Sequence, residues 1–210
     1  MRSDGVRVTV PGLVGVAALI GLAACSATRL TDVWKDPGYS GGPFRQVAVF
    51  VLGTDEAVRH LVENEFVRRL PMNTRGLAGY GIVPVAEQGD VDKARERIRA
   101  GGFDGAIIAR LVGVEGTPAW APGSLQHLPI SYRTLGNYYV SPSPETERSG
   151  LIRPPTIVRV QTNVYAVASE ALVWSAASQT FNPAETRDAA GDVAKLMVER
   201  LQKVGILATE

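Results

Sequence analysis

One cysteine, Cys25, supplies all the thiol chemistry in the chain. A disulfide needs two cysteines and a thiolate metal site needs several, so the fold must stand on its core alone. Histidine is nearly as scarce. His60 and His127 are the only two, and they do not form the His-x-x-x-His spacing of a metal pair. No metal and no cofactor is expected. Neither sign of charge dominates, with 22 Lys and Arg against 21 Asp and Glu. Without a basic cluster there is no electrostatic case for nucleic acid as a partner. The N-terminal apolar run ends at Ala24, short of the roughly 20 residues that a membrane-spanning helix requires. A Gly-rich phosphate loop is also missing. Gly53-Thr54-Asp55-Glu56 offers one glycine and two carboxylates after the first core strand, so a nucleotide is not expected.

The N-terminus is more informative. Arg2 and Arg7 precede a stretch from Leu13 to Leu22 built of Leu, Val, Ile, Ala and Gly, with small residues following. A positive lead, a short apolar stretch and small residues before a cut are the pattern of a secretory signal peptide. The ending Leu22-Ala23-Ala24-Cys25 resembles the lipobox of bacterial lipoproteins. The resemblance implies cleavage between Ala24 and Cys25, a diacylglyceryl group on the Cys25 sulfur and acylation of the new amino terminus. A single buried chain anchors only marginally, at about 0.8 kcal/mol per CH₂, so several chains on one residue make a stable anchor. Ser26, rather than Asp, follows the cysteine. By resemblance to the sorting rule of enteric bacteria, this places the protein at the outer membrane, facing the periplasm.

Removing residues 1–24 takes away Arg2, Arg7 and Asp4 and leaves 20 basic and 20 acidic residues from the original 22 and 21. The mature chain is neutral and of a length that suits one domain. Residues 25–44 read as a tether and lead segment, and 45–208 as a single α/β domain.

Within that domain, Gln46 to Leu52 is an almost continuous apolar run, as in a strand covered on both faces. Thr54 is placed as N-cap of a helix with Asp55 and Glu56 in its first turn. Val58, Leu61, Val62, Phe66 and Leu70 share one helical face. Gly81 to Ala86 forms a short strand candidate, weakened by Pro84. Val91, Ala94 and Ile98 line a second helix that stops at Gly101-Gly102. Asp104 to Val112 is another buried strand. Strand, helix, strand, helix, strand indicates crossover units on a largely parallel sheet.

Thr117 to Pro155 has no period and is rich in proline and aromatic residues; such a stretch inside a domain is usually functional or disordered. Thr156 to Val167 alternates, with Arg159, Gln161 and Asn163 on a side expected to face solvent. Ala168-Ser169-Glu170 reads as a hairpin turn into a strand running to Phe181. A last helix carries Val193, Leu196, Met197, Leu201 and Val204 on one face and ends at Gly205. The expected fold is α/β, of two or three layers, with a mixed sheet of about five strands, a βαβαβ start, a late antiparallel hairpin and a C-terminal helix.

Few residues suggest chemistry. Gly38-Tyr39-Ser40-Gly41-Gly42-Pro43 is close to the nucleophile segment of trypsin-like proteases, but no histidine precedes Ser40 and the aspartate position is Tyr39. It reads as a flexible turn. His60 lies among Arg59, Glu63 and Glu65 and reads as a solvated surface residue. The carboxylate pairs Asp55/Glu56, Glu63/Glu65 and Glu145/Glu147 read as helix-start or solvated charges. Thr31-Asp32-Val33-Trp34-Lys35-Asp36-Pro37 is the most distinctive mature segment. Trp34 is expected to pack on the domain edge while Asp36-Pro37-Gly38 turns the chain; the alternative is a recognition element near the membrane. Trp34, Trp120, His127, Tyr132, Tyr138 and Tyr139 form the candidate partner surface, since aromatics in a loop with few charges can mark an interface.

With these elements in place, the chain resembles a group of uncharacterised bacterial lipoproteins. The shared features are Leu22 to Cys25, Thr31 to Pro37, Gln46 to Leu70 and the Leu172-Val173-Trp174-Ser175 strand before the last helix. More distantly, the element order is similar to the TolB N-terminal domain and the penicillin-binding-protein activator lipoproteins. The resemblance implies a lipid anchor through acylated Cys25 and an envelope protein or cell-wall partner. The expected role is non-catalytic binding or scaffolding. An envelope hydrolase with a site assembled from dispersed polar residues is the alternative, and requires a pocket lined by convergent polar groups.

Overall fold

A computed structural model of the chain describes residues 27–84, 87, 89–114, 134–135, 157–181 and 185–209. Six strands form one sheet in the order β1-β6-β5-β4-β2-β3. The strands are β1 (Ala27–Lys35), β2 (Gln46–Leu52), β3 (Arg75–Ala78), β4 (Gly105–Val114), β5 (Ile157–Ala166) and β6 (Leu172–Phe181). β2 pairs in parallel with β3 and β4, whereas β4-β5, β5-β6 and β6-β1 are antiparallel. The mixed sheet follows from the connections: two helical crossovers enforce parallel pairing, and the tight turn before Leu172 enforces an antiparallel hairpin.

Three helices among the described residues complete the layers: α1 (Glu56–Arg69), α2 (Val91–Ala100) and α3 (Thr186–Lys203). Val47, Val49, Val51, Ile107 and Val164 bury one sheet face together with Phe66 of α1 and Val193, Met197 and Leu201 of α3. Ala48, Phe50, Ala106, Ile108 and Tyr165 bury the other with Ala94 and Ile98 of α2. Of the apolar faces read from the sequence, Ala94 and Ile98 of α2, Val193, Met197 and Leu201 of α3 and Phe66 of α1 are buried, whereas Val58, Leu61, Val62 and Leu70 of α1 are half-buried; the domain has three layers over β2 and β4. α3 stops where expected. Gly205 takes a positive φ of 76° that a side chain would resist, and the Ile206 N–H reaches back to the Leu201 carbonyl.

Four features depart from the sequence expectation. The lead segment contains a strand, because β1 pairs with β6 from Ala27↔Phe181 to Lys35↔Trp174. Its register gains one residue between Thr31 and Trp34, where Asp32 sits at φ 52°. This bulge reverses the alternation, so Trp34 packs on the α2 side of the sheet although Leu30 packs on the α1/α3 side. The third strand is Arg75–Ala78 rather than Gly81 to Ala86, and a 3₁₀ turn at Gly79–Gly81 follows it. Arg-Gly-Leu-Ala carries no β-branched residue; parallel pairing to β2, not local preference, makes it a strand. Asp55, one residue later than expected, caps α1 by accepting the Val58 N–H at 2.9 Å. Finally, Gln161 and Asn163 are buried, not solvated.

Candidate functional site

On the α2 side of the sheet, successive inward positions of β5 are Gln161, Asn163 and Tyr165, and Ser175 stands beside Asn163 on β6. Polar side chains in this row are removed from water, with Asn163 and Ser175 fully buried, and they satisfy one another. Gln161 Nε2 donates to Ser175 Oγ at 2.7 Å and to Asn163 Oδ1 at 3.2 Å. Ser175 Oγ donates to Asn163 Oδ1 at 2.5 Å, and Asn163 Nδ2 donates to the Tyr165 hydroxyl at 3.1 Å. Arg110, 2% exposed, lies in register with Gln161 on β4. The hydrogen-bonded members are amides and hydroxyls. None is a general base near neutral pH, so the cluster orders the sheet without activating the Ser175 hydroxyl. The sequence reading missed it because alternation shows which residues share a face, not whether that face is covered.

A buried carboxylate lies on the opposite face. Glu63 of α1 accepts the Val51 N–H at 3.0 Å and the Tyr80 N–H at 2.9 Å. β3 ends at Ala78, so this edge of β2 is unpaired beyond Val49, and the carboxylate takes the place of the missing strand. Burial pushes the Glu63 carboxyl above its ordinary range, opposed by the two backbone hydrogen bonds and then by Arg59 and His60. His60 itself is half-buried, its ring 4.0 Å from that of Tyr80. Glu65 is likewise buried and bonded to Arg68 and Arg69. Both glutamates have structural partners where solvated charges were expected.

The most voluminous of the three described clefts is mainly apolar. Between the first turns of α1 and α3, a cleft of about 650 Å³ opens at the carboxyl ends of β2 and β4. Val58 and Val62 of α1 form one wall, and Ala189, Ala190 and Val193 of α3 the other. Leu111, Val114, Val158 and Val160 form the floor, with Val114 40% exposed. Among the described residues, Thr54, Asp55 and Thr186 supply the polar lining, and no lysine or arginine contributes. This volume lies within the range of small-molecule sites, at the strand end where open α/β sheets bind ligands. Two smaller clefts are described, one of about 130 Å³ beside Glu63 and one of about 360 Å³ along β3 and α2.

β1 begins at the same end of the sheet as the 650 Å³ cleft. In the last row on its α1/α3 side, Thr28 of β1, Thr180 of β6, Val158 of β5 and Val114 of β4 lie side by side. The Thr28 and Thr180 hydroxyls are 3.0 Å apart. Of the candidate partner surface, Trp34 is half-buried against the core. Trp120, His127, Tyr132, Tyr138 and Tyr139 lie outside the described residues, as do the cleavage site Ala24-Cys25 and the pair Glu145/Glu147. Among the described residues, no helix is long and apolar enough to cross a membrane, and no group of three or more acidic, histidine or cysteine side chains is placed to hold a metal ion.

These features define a mixed-sheet, three-layer α/β domain with an apolar cleft at one end. No family model matches the chain, and no curated protein matches it. Among solved structures, it is similar to the PelC dodecamer from Paraburkholderia phytofirmans. There the TM-score is 0.43 at 11% identity, covering 87% of this chain and 100% of that one. It is also similar to lipoprotein GNA1162 from Neisseria meningitidis, with a TM-score of 0.39 at 9% identity, covering 76% of this chain and 99% of that one. Likeness at this level carries no functional argument.

Proposed function

We propose that the protein is a lipid-anchored lipoprotein of the bacterial cell envelope with a non-catalytic binding or scaffolding role. The observation that carries this reading is the join between anchor and fold. Cys25 closes a lipobox-like sequence, and the paired edge strand begins only two residues later, at Ala27. Acyl chains on Cys25 would hold the end of the sheet directly at a bilayer, with no flexible spacer. An outer-membrane site facing the periplasm follows from Ser26 and the sorting rule. The partner is an envelope protein or the cell wall, met through surface that remains free when that end faces lipid.

The hydrolase alternative draws little support from the described residues. The polar cluster is buried and lacks a base, and the most voluminous of the three described clefts is mainly apolar. The test of the main reading is metabolic labelling with palmitate. Wild-type chain should take up the label and fractionate with membranes, and Cys25→Ser should take up none. Label-free wild-type protein would overturn the proposal.

A further inference from the structure

We infer that the cleft between α1 and α3 holds one acyl chain of the protein's own N-terminal lipid; this deepens, and rests on, the reading of Cys25 as lipidated. Three observations converge. The first is reach. Thr28 is held by β6, and Val158 at the edge of the cleft lies two strand spacings away in the same row, about 10 Å. Cys25 is three residues before Thr28 and can stand at most about 10 Å from it. An acyl chain spans one leaflet, about 15 Å, or half of the hydrocarbon core. A chain of that length covers the distance from Thr28 to Val158, and Cys25 is free within its own reach to lie toward the cleft, so no strand has to leave the sheet.

The second observation is chemistry. The walls are Val, Leu and Ala, and the described mouth offers Asp55 but no cation. A free fatty acid or an anionic phospholipid would bring its negative charge toward that carboxylate. A chain attached through an ester or amide link brings none. The third is the state of the floor. Leu111, Val158 and Val160 are half-buried and Val114 is exposed, which leaves a contiguous apolar strip open to solvent at the end of the molecule where β1 begins. The chain's own segment between β4 and β5 is held elsewhere at the two positions described. Thr134 bridges to Ala171 and Leu135 packs on the α2 side, at the other end of the sheet.

The experiment uses cells making the full-length wild-type chain and fed a palmitate analogue that carries a photoreactive diazirine. After irradiation, the protein is digested and its cross-links are identified by mass spectrometry. The inference predicts label on the Cys25 peptide and cross-links from that peptide to those carrying Val58, Val160 or Ala190. Filling the cleft by Ala190→Trp, or independently by Leu111→Trp, should abolish those cross-links while leaving the label on Cys25. Label on Cys25 with no cross-link to the cleft would overturn the inference and leave the lipidation reading standing. Cleft peptides joined to a lipid that is not attached to Cys25 would overturn it in favour of a bilayer lipid. Absence of label from Cys25 would remove the lipidation reading, and this inference with it.

Discussion

Glu63 is 1% exposed, and its carboxylate carries two backbone N–H groups that no strand can reach. Glu63→Ala strands both donors, and a buried unsatisfied donor costs about 1–3 kcal/mol. The variant should lose about 2 kcal/mol or more of unfolding free energy, read from its urea midpoint; a loss under half of that would contradict the bridging role. The same residue sets a pH dependence. Its folded carboxyl is raised above the ordinary 4.5, chiefly by burial, so the folded state binds the proton more tightly than the unfolded chain. Its contribution to stability is fully present below 4.5 and is lost as pH rises through the raised folded value. Stability of wild type minus that of Glu63→Gln should therefore fall between acid and neutral pH. A difference that rises over that window would mean that the hydrogen bonds outweigh burial.

At the scale of elements, the order of strands and helices was largely legible, because β2 and β4 are apolar runs of strand length and α2 and α3 carry the helical period. β1 was not. Ala-Thr-Arg-Leu-Thr-Asp-Val-Trp-Lys alternates until Asp32 breaks its parity, and the break is what lets Trp34 join the α2-side core. Deleting Val33 removes the extra residue of the bulge and leaves Trp34 opposite Ser175 on the same face, so it should cost less than Asp32→Val. Asp32→Val should cost about 1–2 kcal/mol through its positive φ, and Asp32→Gly should not. Urea denaturation of the three variants checks the ranking.

The Thr117 to Pro155 segment also differs from the simple loop expected. Leu135 is 3% exposed in the core, and its N–H reaches the Glu170 carbonyl. Leu135→Ala should destabilise the fold by about 3 kcal/mol, so deleting 117–155 removes a core contact as well as any partner surface. Wild-type thermal stability in Leu135→Ala would sink this account. The cleft, by contrast, was not legible at all. Val58 on its helical face and Leu111 in a buried strand read as ordinary core positions, and only the spacing between α1 and α3 leaves them half-buried.

At the scale of the whole molecule, the proposed anchoring gives the domain a membrane end and a far end. The start of β1 at Ala27, the mouth of the cleft and the first turns of α1 and α3 share one end. The β5–β6 turn, where Glu170 accepts from Arg95 and Arg99 of α2 at 2.6 and 2.9 Å, lies at the other. With one residue between the anchor and Ala27, the sheet should be held at a nearly fixed distance from the bilayer, and its far end presented to the periplasm. Every part of this arrangement depends on the chemistry of one sulfur. The most direct measurement is the intact mass of the N-terminal peptide from protein purified out of cell membranes. The account predicts a peptide that begins at Cys25 and carries a diacylglyceryl group and an added acyl chain. A peptide that begins at Met1, or one with an unmodified Cys25, would contradict it.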